Sequence, residues 1–169
     1  MPDIKISNLD DVERLARLLV GSVFVPKDWN DKAPADQEKA VANTVGAILV
    51  AMSLGVPIIQ GIRSISIIHG RPCMTAELML AICMRQPDFE GIREWIEGSG
   101  EDAVAHCEIR RAKFGAIRRS FSMRDARRAG LADRDTWRKY PQRMLRARAL
   151  AWACRDIYAD VLCGLISAE

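Results

Sequence analysis

Apolar residues in the first third of the chain recur at helical spacing. Val12, Leu15, Leu18 and Leu19 form one stripe, and Ser7 with Asp10 ahead of it resembles a weak capping box, so a helix is expected to start after Ser7 or Asn8. Residues 24–35, punctuated by Pro26 and Pro34, read as a loop. A second stripe of Val41, Val45, Ile48, Leu49 and Met52 predicts a helix from about Ala35 to Leu54, stopped by Gly55 and Pro57. The period then changes. The isoleucine-rich run Ile62 to Ile68 predicts a strand, His69-Gly70 a two-residue turn, and Arg71 to Met74 the returning strand of a hairpin. Thr75 is placed to cap a helix over Ala76–Arg85, packed through Leu78, Met79, Ile82 and Cys83.

Three strands are expected next, Phe89–Glu97, Ala103–Arg111 and Ala116–Phe121, joined by turns at Gly98–Gly100 and Lys113–Gly115. In the middle one Ala105, Cys107 and Ile109 alternate with His106, Glu108 and Arg110, the pattern of one buried and one wet face. Ser122 and Asp125 form a second capping box, and Gly130 ends that helix. Asp133 is placed to cap a short turn through Trp137. Pro141 suits the first position of a long last helix reaching about Cys163. Its wide apolar arc holds Met144, Ala147, Leu150, Ala151, Cys154, Tyr158 and Leu162, with Arg148 and Arg155 on one edge. The order of elements predicts an α+β fold: a small antiparallel sheet and a β-hairpin packed against several helices, with a long C-terminal helix. The length of 169 residues suits a single domain over 1–169, and no apolar run reaches ~18 residues, so no membrane partner is expected.

Charge changes this picture more than composition does. Net charge is only +3. Residues 1–85 balance nine Lys/Arg against nine Asp/Glu, residues 86–105 set Arg93 against six acids for −5, and residues 106–169 set fifteen Lys/Arg against seven acids for +8. Such asymmetry suggests a polyanionic partner, or else a solvated face laced with internal salt bridges.

Motifs for catalysis are missing. The chain has no GxGxxG, Walker loop, GxSxG or HExxH, and the acids of 86–102 follow no metal-loop spacing, so no catalytic residue, metal or cofactor is expected. The five cysteines form no CxxC, and Cys154 and Cys163 sit on an apolar helix without a nearby histidine. They read as reduced thiols of a cytoplasmic protein.

The basic region remains. From 106 to 148 fourteen Lys/Arg face four acids. Arg110, Arg111, Lys113, Arg118 and Arg119 flank a hairpin turn that holds Phe114. Arg124, Arg127 and Arg128 follow on the short helix, then Arg138 and Lys139 between Trp137 and Tyr140, then Arg143, Arg146 and Arg148. Phosphates repeat along a strand, so a protein that tracks one needs cations along a groove, and interleaved aromatics can stack on bases. Phe114, Trp137 and Tyr140 are the candidates, although Trp137 and Tyr140 could instead anchor a helix corner in the core.

Three stretches carry a resemblance. Leu54-Gly55-Val56-Pro57 with Ile65 to Pro72 and Ala76-Glu77-Leu78-Met79 resembles a Gly-Arg/Lys-Pro hairpin leading into a Ser/Thr-Ala-Glu/Asp-Leu-Met helix. Phe121 to Leu131 resembles Phe-Thr-Met-x-Asp-Ala-x-x-Ala-Gly-Leu. Trp137-Arg138-Lys139-Tyr140-Pro141 with Met144 to Ala149 resembles Trp-x-x-Tyr-Pro-x-x-Met-Leu-x-x-Arg-Ala. These are segments of the RecT-like phage recombinases, the single-strand annealing proteins. The resemblance implies an annealing core over 36–166, behind an N-terminal helix and loop over 1–35. It further implies ATP-independent binding of single-stranded DNA and of the annealed duplex, assembly as a homo-oligomeric ring or filament, work beside a phage exonuclease and a host single-strand binding protein, and residence in the bacterial cytoplasm. Carried onto matching positions, it nominates Arg124, Arg127, Arg128, Trp137, Arg138, Lys139, Tyr140, Arg143, Arg146 and Arg148 as DNA contacts; the hairpin residues come from charge alone. Family members are usually longer at the C-terminus. The alternative is a phage-derived interaction protein that uses the recombinase fold to bind and inhibit a host defence protein.

Overall fold

A computed structural model describes residues 6–26, 29, 34–68 and 70–167. The chain has the expected α+β character, and it resolves into two compact units, Met1–Cys73 and Met74–Glu169.

The first unit is mostly helical. Helix α1 (Leu9–Leu19) is capped by Asn8, whose side chain accepts from the Asp11 N–H at 2.9 Å, while the Ser7 N–H donates to the Asp11 carboxylate. The cap thus sits one residue later than the expected Ser7–Asp10 pair. Val12 and Ala16 are buried, but Leu18 is 74% exposed, since six positions from Val12 lie 240° around a helix. Helix α2 (Pro34–Ser53) packs on α1, and Arg17 bridges Glu13 and Glu38. Of the loop expected over 24–35, residues 27, 28 and 30–33 lie outside the described residues; Trp29 is buried.

The strand expected from Ile62 starts three residues later. Residues Ile58–Ser64 form helix α3, and β1 runs over Ile65–Ile68. Pro57 presets the first helical turn, and Gly61 lets α3 approach α2 closely: a Cβ there would lie 2.3 Å from the Ala51 Cβ. That packing overrides the β preference of the isoleucines. Strand β2 (Arg71–Met74) completes the hairpin; His69 of its expected turn lies outside the described residues.

In the second unit, Thr75 caps α4 (Ala76–Met84) by accepting from the Leu78 N–H. Strands β3 (Phe89–Glu97), β4 (Val104–Arg111) and β5 (Gly115–Ser122) form an antiparallel sheet. Its register sets Trp95 opposite His106 and His106 opposite Ser120. A short 3₁₀ turn, Gly100–Asp102, links β3 to β4. Helices α5 (Met123–Arg128) and α6 (Asp135–Lys139) lead to α7 (Pro141–Ile157), which crosses β4 and β5 on one face of the sheet, with α4 against it. Ala105, Cys107, Ile109 and Phe121 are buried from the sheet, and Leu145, Ala149, Leu150, Ala153 and Cys154 from α7.

The capping box at Ser122 forms in full. Its side chain accepts from the Asp125 N–H, and the Asp125 carboxylate accepts from the Ser122 hydroxyl and then from the Ser122 N–H, which together hold Asp125 below the usual carboxylate range. Two expectations fail nearby. Helix α6 starts at Asp135 behind Arg134, so Asp133 is too early to cap it. The last helix ends at Ile157, not Cys163; Tyr158 leaves helical geometry at φ −120°, ψ 37° and a short α8 (Ala159–Leu162) follows, ahead of β6 (Ile166–Ser167). The Ile157 carbonyl there accepts from Arg111, far back in the chain, instead of from a following helical N–H. Among the described residues no single helix is long and apolar enough to cross a membrane.

Candidate nucleic-acid interface

The start of α7 is the best-formed candidate. Pro141 occupies its first turn, and no side chain caps it. Orphan N–H groups at a helix start carry partial positive charge and suit an anionic ligand. A cleft of about 390 Å³ lies at this point, lined by Gly100, Ala103, Lys139, Tyr140, Gln142 and Arg143 among others. Tyr140 is 58% exposed. Arg143 is exposed and has no carboxylate within 4.0 Å among the described residues. Lys139 holds Asp135 at 2.8 Å, and Arg138 approaches the same carboxylate at 3.8 Å.

The 3₁₀ turn beside the cleft carries ion pairs of its own. Arg124 bonds Asp102 at 2.8 Å and Arg127 bonds Glu101, both carboxylates on the 3₁₀ turn that also supplies Gly100 to the cleft. Arg128 lies 3.8 Å from Asp125. The acidic segment therefore folds back onto the basic one and offsets part of its charge. All of these pairs are exposed, and such pairs contribute only about 0–1 kcal/mol, so a phosphate can exchange with the carboxylate at small cost.

Other nominated residues go elsewhere. Arg111, expected as a DNA contact, is buried where β4 enters the hairpin turn. It donates to Asp88 at 2.8 Å, to both oxygens of Asp160 at 2.7 and 2.8 Å and to the Ile157 carbonyl, with Phe114 and Tyr158 rings 4.5 and 4.3 Å away. Arg111 holds Asp160 below the usual carboxylate range. Trp137 is 2% exposed and its ring lies 6.0 Å from that of Phe121, so it anchors the helix corner. Arg146, expected beside Arg143, turns back to Glu94 on β3 at 3.0 Å, and Arg148 is half-buried. Arg119 pairs with Asp156 on α7. Arg110, Lys113 and Phe114 are exposed near the hairpin tip. The cleft thus gathers Lys139, Tyr140 and Arg143, with Arg124 and Arg127 tied to its 3₁₀ turn, and excludes Arg111 and Trp137.

One cluster escaped the sequence reading. His106, expected on the wet face, is only 7% exposed because Trp95 stacks on it with ring centroids 5.0 Å apart and planes at 19°. The Arg118 guanidinium sits 4.6 Å from the Trp95 ring and 3.2 Å from His106 Nδ1. The alternation of β3 carried the only signal, since it places Trp95 on the same side of the strand as Arg93 and Glu97.

The cysteines are free. Burial pushes the Cys107 thiol up to about 12, and Cys154 is raised further by a hydrogen bond with Cys83 and by burial. No protein-family model matches the chain, and no curated protein is similar enough to match it.

Proposed function

We propose that the chain binds single-stranded DNA and pairs complementary strands without ATP, in the manner of the RecT-like annealing proteins whose segments it resembles. The observation that carries this reading is the cleft at the start of α7, where an exposed tyrosine, a lysine, an arginine with no carboxylate partner among the described residues and a helix end without a side-chain cap share one concavity. The helix end and Arg143 suit phosphate, and Tyr140 suits a base. The residues are those of the Trp-x-x-Tyr-Pro segment, so resemblance and geometry nominate the same place. Two complementary oligonucleotides added in succession test it: the protein should accelerate pairing and retain the duplex, with affinity falling by about 0.7 logarithmic units per bound phosphate for each tenfold rise in salt. A flat salt response with no gain in pairing rate overturns the reading.

The ion pairs favour a second reading. Arg124, Arg127, Arg128, Arg138, Lys139 and Arg146 all have carboxylates at hand. A surface of alternating charge suits a folded protein partner, as in an inhibitor of a host defence protein. Such a protein would bind strands weakly and elute as a monomer or dimer, whereas an annealing protein would elute as a ring or filament.

A further inference from the structure

The face of the β3–β5 sheet opposite α7 has an unusual composition. Its side chains, read from the register, include Arg93 and Trp95 on β3, His106, Glu108 and Arg110 on β4, and Arg118 and Ser120 on β5. An uncovered antiparallel face ordinarily carries short polar and charged residues. Here an indole stands on the edge strand β3, two residues from its end, and its neighbours are the His106 ring, the Arg118 guanidinium at 4.6 Å and that of Arg93 at 5.8 Å.

The arginines of this face differ from those on the α7 side. Arg119 and Arg146 each meet a carboxylate. Arg93, Arg110 and Arg118 have none within 4.0 Å among the described residues, although Glu108 stands between Arg93 and Arg118 in the register. Glu90 also lines the concavity that holds Arg93, Glu108 and Arg110, and Glu97 accepts from the Trp95 indole N–H at 2.8 Å and faces His106 Nε2 at 3.5 Å. His106 itself is locked. The Ser120 hydroxyl lies 2.7 Å and the Arg118 guanidinium 3.2 Å from His106 Nδ1, while Nε2 faces Glu97 at 3.5 Å. The aromatic pair is therefore oriented in advance, and the three arginines around it join no ion pair within 4.0 Å among the described residues.

We infer that this open sheet face is a second binding surface for a single DNA strand, with bases stacked at Trp95 and phosphates taken by Arg93, Arg110 and Arg118. It rests on the single-strand reading above and extends it. The β3–β4 turn connects the two places: Ala103, at the end of the 3₁₀ turn, lines the α7 cleft, and His106 lies three residues further along the extended chain in β4, about 10 Å away. A strand leaving the cleft around this turn runs onto the sheet.

The experiment uses the full chain and a short mixed-sequence DNA strand carrying iodouracil. Photo-crosslinking followed by peptide mapping should mark Trp95 as well as Tyr140. Trp95→Ala should weaken binding at least about fivefold, whereas Trp95→Phe, which keeps a π-face, should retain most of it. Arg93→Gln/Arg110→Gln alters two exposed side chains that join no ion pair among the described residues, leaves folding intact, and should lower the salt slope by about 0.7 for each phosphate no longer held. Crosslinks confined to Tyr140, with full binding by the arginine double variant, overturn the sheet surface and leave the cleft standing. Binding that survives Tyr140→Ala/Arg143→Ala yet falls with the Trp95 and arginine variants overturns the cleft and supports the sheet. A wild-type chain that binds no strand overturns both.

Discussion

The tip of the β4–β5 hairpin and the start of α7 look alike in sequence: each sets cations around an aromatic residue. Their fates in the fold are opposite. Arg111 and Phe114 stack on each other, and two distant carboxylates consume the guanidinium, Asp88 from before β3 and Asp160 from α8. Tyr140 stays exposed and Arg143 meets no carboxylate among the described residues. Whether an arginine holds the fold together or faces a ligand depends on which acids the topology delivers to it, and those lie far away in the chain.

The largest expected effect comes from breaking the hairpin cluster. Arg111→Ala leaves Asp88, Asp160 and the Ile157 carbonyl without their donor and should destabilise the protein by about 3 kcal/mol, toward the low end for a broken buried pair because both carboxylates reach solvent. Denaturant unfolding measures it. The same variant should flatten the acid dependence. Asp160 has a depressed pKa in the folded state, so its contribution is present above its unfolded value of about 3.9 and is lost as pH falls through the lower folded value. Wild-type melting should fall steeply below about pH 4, and that of Arg111→Ala less so. An equally steep curve for the variant would remove Asp160 from the account.

At the other pole, Tyr140→Ala/Arg143→Ala should leave melting unchanged and weaken single-strand binding at least tenfold, about 1.4 kcal/mol. Strand titration with circular dichroism checks both halves. Full binding by the folded variant would erase the contrast between the two regions. Ser122→Ala should cost about 1 kcal/mol of stability through the missing cap, with binding unchanged. The smallest effect is chemical: alkylation of the native protein near pH 8 should modify Cys163, which is exposed, and spare Cys73, Cys83, Cys107 and Cys154, which are buried, without altering stability. Rapid modification of Cys154 would show that the α7 core opens.

Local signals in the sequence were sound where one residue and its near neighbours decide the outcome. Thr75, Ser122 with Asp125, and Pro141 stand where expected, because caps and first-turn prolines depend on groups within four residues. The strands of the sheet were legible from alternation. Ile62 misled because its fate turned on Gly61 meeting Ala51, a contact between helices. The early end of α7 was hidden for the same reason: Arg111, 46 residues upstream, takes the Ile157 carbonyl. Within the candidate site, the residues around Tyr140 were legible because they are contiguous. Trp95 with His106 and Arg118 was not, since three strands must pair before these side chains meet.

The Arg111 cluster also bears on the rates at which the protein folds and opens. It joins residues 23 to 49 positions apart, so every bond it makes closes a long loop and can form only once the sheet and α7 are in place. An interaction completed after the folding barrier scarcely changes the refolding rate and acts on escape from the native state. In a chevron plot Arg111→Ala should therefore steepen nothing and shift mainly the unfolding arm upward, making this one arginine a determinant of how long the second unit persists between openings.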